Sequence, residues 1–173
     1  LQANLQVKHN GKDYPYALFV PKSSGPDKKI PLLVVLHGLG GSGANTIPAW
    51  IKRSSESFAV LCPTYPMGAW WMRSAEEMVL RLIDQIREKY NIDSDRIFLA
   101  GLSNGAIGAY MIGMFYPDRF AGLIPIAGSI TPRYMHFLVN LRNTPVYMIQ
   151  GAHDPIFPIQ LSRRIQKILS DMK

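Results

Sequence analysis

Between residues 97 and 116 the sequence leaves little choice of local structure. Ile97-Phe98-Leu99-Ala100 is a short apolar run, Gly101-Leu102-Ser103-Asn104-Gly105 follows at once, and an apolar stretch of helical character runs from Ala106 to Tyr116. In a strand–turn–helix setting, G-x-S-x-G forces a sharp reversal with the serine raised at the strand's end. The glycines are needed because so tight a turn has no room for side chains, and the serine between them is strained. Ser103 is therefore a candidate nucleophile. The bland alternative is a Gly/Ser turn joining a strand to a helix.

The flanking segments agree with an alternating α/β chain. Asn10-Gly11 between residues 7–9 and 14–20 is a hairpin signal. His9 reads as an exposed strand-end residue, and residues 21–31, with Gly25-Pro26, as a polar turn region. Leu32-Leu33-Val34-Val35-Leu36 is continuously apolar, as a central parallel strand covered on both faces must be. Residues 58–62 form another short buried strand. Ser74 and Glu77 have capping-box spacing and open a helix whose apolar positions are Met78, Val79, Leu82, Ile83, Ile86 and Tyr90. Residues 120–127 and 146–150 read as two more strands. Pro158 is placed to begin a last helix with Leu161, Ile165, Ile168 and Leu169 inward. Alternation of this kind predicts one mostly parallel, doubly covered sheet with an antiparallel hairpin at its start, a single domain over residues 1–173.

Composition narrows the function classes. The net charge is +7, but the basic residues are scattered and not interleaved with aromatics, so a solvated basic surface is the reading and nucleic-acid binding is not supported. No apolar stretch is long enough for a membrane span. The lone Cys62 lies in a buried-strand pattern and reads as packing. No Cys/His/Asp cluster has metal-ligand spacing, and the glycine-rich segments fit neither phosphate nor dinucleotide fingerprints, so no metal or cofactor is expected. Leu1 is not an initiator methionine, so any signal peptide would lie upstream. Compartment and oligomeric state are not legible in the residues.

Parallel α/β sheets place ligand sites beyond the carboxyl ends of their strands. Three such ends carry chemistry: His37-Gly38-Leu39-Gly40-Gly41, Ser103, and Gly151-Ala152-His153-Asp154-Pro155. Loose glycine after a strand lets backbone N–H groups face an oxygen that gains charge. A fourth end leads to Tyr65, Met67, Trp70 and Trp71, which form either an apolar wall for an acyl or aryl group or a minicore clamping the loop.

With these motifs in view the chain resembles the α/β-hydrolases. Within them it is similar to the polyhydroxybutyrate-depolymerase/feruloyl-esterase group and the related "predicted peptidase" carboxylesterases. The matching residues are His37-Gly38-Leu39-Gly40-Gly41, Asp95-Arg96-Ile97, Gly101-Leu102-Ser103-Asn104-Gly105, Tyr116-Pro117-Asp118-Arg119-Phe120 and Gly151-Ala152-His153-Asp154, in family order from about residue 14 onward. The resemblance implies a serine esterase with Ser103 as nucleophile and Asp154 as triad acid. It implies an oxyanion hole of the Leu39 and Asn104 backbone N–H groups, and a structural role for His37. Asp154 is expected at the end of the strand neighbouring that of Ser103. Trp70, Trp71 and His136 are candidate substrate contacts, and the substrate is a small-molecule or polymer-linked ester. An extracytoplasmic setting is compatible with the resemblance.

Three departures bear on function. Asn104 occupies a position often smaller or apolar in the group, and Ala106 stands where many members have a second glycine. The family's triad histidine follows the acid, yet none of His9, His37, His136 and His153 lies beyond Asp154, and only 19 residues follow it. The family pattern further calls for a last strand and a closing helix. The chain is thus expected to be a fragment of a longer protein, with little esterase activity alone. A peptidase of the same fold, and a non-catalytic binding module without its base, are the rival readings.

Overall fold

A computed structural model describes residues 1–172 except 23, 24, 26, 27, 55 and 56. Ser23, Ser24, Pro26 and Asp27, within the turn region expected over residues 21–31, lie outside the described residues, as does Lys173. Six strands form one sheet: β1 (Gln2–His9), β2 (Lys12–Phe19), β3 (Ile30–Leu36), β4 (Ala59–Pro63), β5 (Ile92–Leu102) and β6 (Gly122–Ile126), in spatial order β1-β2-β4-β3-β5-β6. β1, β2 and β4 pair antiparallel, while β4, β3, β5 and β6 run parallel. The sheet is thus the mixed, largely parallel one the alternation predicts.

The apolar run of β3 is split by the two-residue period of a strand. Leu32, Val34 and Leu36 enter the larger core, and Leu33 and Val35 the smaller one on the opposite face. Three helices, α2 (Arg73–Lys89), α3 (Asn104–Phe115) and α4 (Ile159–Asp171), contribute to the larger core. A further helix, α1 (Gly43–Ser54), brings Ile47, Trp50 and Ile51 to the smaller one. The sequence reading missed α1, whose signal is this i, i+3, i+4 triplet, because Pro48 lies inside it.

Four local expectations change. His9 is buried, not exposed: it shares the inward face of β1 with Val7 and sits 3.7 Å from the Glu77 carboxylate of α2. Ser74–Glu77 is not a capping box, since α2 starts at Arg73 with Met72 as N-cap and no side-chain cap. Glu77 instead pairs with Arg73 at 2.8 Å. Residues 146–150 do not form a continuous strand; two isolated parallel bridges, Leu123–Val146 and Ile126–Ile149, tie them to β6. Because β6 lies between this segment and β5, Asp154 does not follow the strand next to that of Ser103, as expected, but the one beyond it.

Candidate active site

β5 delivers Ser103 into a conformation that non-glycine residues rarely adopt, with φ 55° and ψ −117°. Neighbouring hydrogen bonds over-determine it, as persistent strain requires. The Ser103 N–H donates to the Ile126 carbonyl at 2.9 Å, and its own carbonyl accepts from the N–H groups of Ala106 and Ile107, starting α3. The Ser103 side chain does not cap that helix, and the residue is half-buried. Glycine is obligatory on either side: a Cβ at Gly101 would collide with the Gly105 carbonyl, and one at Gly105 with that of Leu36.

The loop after β3 lies against this turn. Gly41 N–H donates to the Gly38 carbonyl at 3.1 Å, and Gly40 has φ 68°, which is a type II turn with glycine at its left-handed position. A Cβ at Gly38 would lie 3.4 Å from the Ser103 Cβ, so the two loops approach to within about a methyl group of each other. The N–H groups of Leu39 and Asn104 have no acceptor among the described residues.

His37 fixes the loop. Its ring is 2 % exposed; Nδ1 bonds to the Gly38 carbonyl at 2.7 Å and Nε2 accepts the Tyr65 N–H at 3.2 Å. A carbonyl accepts only and an amide N–H donates only, so the ring is the neutral Nδ1–H tautomer. Burial holds its pKa below the ordinary imidazole value. With both nitrogens engaged, His37 is a strut between two loops.

Asp154 is similarly well held. Its Oδ1 accepts the N–H groups of Phe157 and Ile156, each at 2.9 Å, and its Oδ2 accepts Gln150 Nε2 at 2.9 Å. The Phe157 N–H first, then that of Ile156, hold the carboxyl below the usual carboxylate range. Leu102 pairs with Ile126 and Ile126 with Ile149, so Ser103 and Asp154 both lie beyond the same edge of the sheet. Three strands at a spacing of about 4.8 Å put Leu102 and Ile149 roughly 10 Å apart. Gln150, which carries this carboxylate, escaped the sequence reading, because no motif marks a glutamine that bonds four residues ahead across a loop.

Residues 69–173 match the model of the phospholipase/carboxylesterase family. The chain belongs to this family. Among curated relatives, it is 27% identical over 152 residues to the bifunctional acetylxylan esterase/xylanase XynS20E of Neocallimastix patriciarum, across 83% of this chain and 22% of the relative. It is 29% identical over 166 residues to acyl-protein thioesterase 1 of Schizosaccharomyces pombe, across 79% of this chain and 74% of the relative. A solved thermostable esterase superposes with a TM-score of 0.84 at 28% identity, over 97% of this chain and 51% of that one. The chain thus spans about a fifth of the first relative and half of that esterase. The fold is that of the α/β-hydrolases, and the relatives are esterases and thioesterases.

Within this family scaffold the remaining candidates separate. Trp70 is 0 % exposed: its Nε1–H donates to the His37 carbonyl at 2.8 Å and its ring meets His37 edge-on. A fully enclosed ring touches no substrate, so Trp70 belongs to the minicore and its expected substrate role is corrected. Trp71, the next residue, is exposed. His136 is exposed on the 3₁₀ segment Pro132–Leu141, its ring 4.0 Å from that of Phe137. Neither lines the groove bounded by Tyr14, Tyr65, Met67 and Met72, and neither does Ser103. Burial raises the Cys62 thiol pKa far above its usual range, consistent with packing. Among the described residues, three or more His, Cys, Asp or Glu side chains nowhere gather as a metal site, and no helix is long and apolar enough to cross a membrane.

Proposed function

We propose that the chain carries the nucleophile, triad acid and oxyanion hole of a serine esterase that works through an acyl-enzyme. The observation that supports this best is Ser103 itself, strained, free of helix capping and packed against Gly38. An imidazole base takes the Ser103 proton as Oγ attacks the ester carbonyl carbon. The carbonyl oxygen becomes an oxyanion, which the N–H groups of Leu39 and Asn104 receive. The base returns the proton to the leaving alcohol, and water then repeats the sequence on the acyl-enzyme to release the acid. Asp154 orients the imidazole through Oδ2, with Gln150 as that oxygen's other partner. His37 is not the base, since both its ring nitrogens are bonded.

The substrate in this reading is a carboxylic ester, small or polymer-linked, with the exposed Trp71 and His136 as contacts at its periphery. The relatives named as acetylxylan esterase and feruloyl esterase support an oxygen ester, and those named as thioesterases a thioester, which the same steps cleave. The test is treatment with a fluorophosphonate followed by peptide mass spectrometry, alongside hydrolysis of p-nitrophenyl acetate. An adduct on Ser103, and hydrolysis abolished in Ser103→Ala, are expected. An adduct elsewhere, or hydrolysis that survives the substitution, overturns the assignment. Cleavage of a peptide anilide in preference to the ester would favour the peptidase reading.

A further inference from the structure

Backbone strain recurs one strand over from Ser103. Ala127, just past the end of β6, has φ 47°, in the left-handed region that side chains disfavour. Its N–H donates to the Ile149 carbonyl at 2.8 Å, and the Ile149 N–H donates to the Pro125 carbonyl at 3.0 Å. The same turn backs onto the nucleophile loop. The Ser103 N–H donates to the Ile126 carbonyl, and a Cβ at Gly128 would stand 2.7 Å from the Ser103 carbonyl oxygen. Ile149 is therefore held in register with the Ser103 turn through the end of β6. The residue after it is Gln150.

The Gln150 side chain carries that register on to Asp154. Its Nε2 lies 2.9 Å from Asp154 Oδ2 and 2.9 Å from the Phe157 carbonyl oxygen. A carboxylate and a carbonyl only accept, so both N–H groups of the amide are spent, and turning it over would set oxygen against oxygen. Its Oε1 is buried with no partner among the described residues. An unpaired buried acceptor costs stability, so the amide is placed for what its nitrogen does. Phe157 closes the ring, since its own N–H donates to Asp154 Oδ1. An ionised carboxylate has about four acceptor sites. The N–H groups of Ile156 and Phe157 fill Oδ1 and Gln150 takes one site on Oδ2, which leaves a single open site, also on Oδ2.

We infer that Gln150 is the positioning residue of the acid: it registers the Asp154 carboxylate to the Ser103 turn through Ile149 and β6, and leaves one acceptor site, on Oδ2, for the N–H of the base. The inference rests on the reading of Asp154 as triad acid for its catalytic consequence, but not for the pairing. A carboxylate held only by its own loop moves with that loop, whereas one bonded to an amide at the sheet edge is referred to the sheet.

The test begins with NMR of the unsubstituted chain, so it does not depend on a variant that folds. The Gln150 side-chain amide protons and the Asp154 carboxyl carbon are followed through one pH titration. Both should report the same midpoint, below the ordinary carboxylate range, because the N–H groups of Phe157 and Ile156, and then Gln150, favour the ionised form. Gln150→Met removes the donor at similar volume and should move the Asp154 midpoint upward. Gln150→Glu keeps the shape but opposes two carboxylates, and should move it further upward, with the introduced carboxyl titrating in a coupled step. Gln150 protons that ignore the Asp154 titration, or a midpoint unmoved in both variants, overturn the inference. In a complete enzyme that carries its histidine base, Gln150→Met should lower kcat about 10- to 10²-fold at unchanged KM. Unchanged kcat there, beside an Asp154→Asn variant that loses turnover, rejects Gln150 and keeps the acid. Full turnover in both variants, with the shared midpoint intact in the unsubstituted chain, rejects the acid and keeps the pairing.

Discussion

Gly38 and Ser103 follow different strands yet lie close together: a Cβ at position 38 would lie 3.4 Å from the Ser103 Cβ and 3.3 Å from the Leu102 carbonyl oxygen. Such distances are tight but not prohibitive, so Gly38→Ala should fold and displace the loop by tenths of an ångström. Small misplacements of this kind are felt in rate before stability. The variant should lose about 10- to 10²-fold in kcat for p-nitrophenyl esters, with a stability change under about 1 kcal/mol. Equal losses in urea midpoint and rate would show that the loop is merely structural.

Gly105→Ala should behave oppositely. Its Cβ would meet the Leu36 backbone carbonyl, which has no rotamer to escape into. Overpacking against rigid backbone should lower stability by about 3 kcal/mol or more. Equilibrium urea unfolding measures this, and a wild-type midpoint would contradict the close approach.

Trp70 offers a graded test of the minicore. Trp70→Ala should cost about 3–5 kcal/mol through the cavity it leaves. Trp70→Phe keeps most of the volume but strips the His37 carbonyl of its partner, at about 1–3 kcal/mol. If either variant shifts ester preference while leaving the unfolding midpoint unchanged, the ring contacts substrate after all.

The neutral, buried His37 makes stability depend on pH in a defined direction. Its folded pKa lies below the ordinary value of about 6.5, so between the two values the unfolded chain binds more protons. The stabilisation is complete above about pH 6.5 and is lost as pH falls below it. Urea midpoints should therefore decline from pH 7.5 to 5.5, and less steeply in His37→Gln. Parallel declines in both proteins would assign the effect to other groups.

Asp154→Asn tests the acid. The remaining amide oxygen still accepts from Ile156 and Phe157, so the loop should keep its shape. In a complete enzyme that carries its histidine base, by precedent of other triads, kcat should fall by about 10⁴. Undiminished turnover would remove Asp154 from the mechanism. His136→Ala and His153→Ala, run beside it, ask whether either exposed imidazole is the base: a loss comparable to that of Asp154→Asn names it, and unchanged kcat dismisses it.

How far the sequence carried the reading is clearest residue by residue. The Ser103 turn, the Asn10-Gly11 hairpin and the two-faced β3 were all readable, because glycine positions and two-residue periodicity act within a few residues of the chain. They pointed to the class of fold and to the edge of the sheet beyond which Ser103 and Asp154 lie. The tertiary structure alone decided the rest. His9 looked exposed until β1 was laid on α2, and Trp70 looked available to substrate until His37 and α3 closed over it. The Asn104–Met67 bond spans 37 positions, and Gly38 meets Ser103 across two strands. Burial and contacts at such separations depend on how strands order themselves in the sheet, and no local pattern of residues encodes that order.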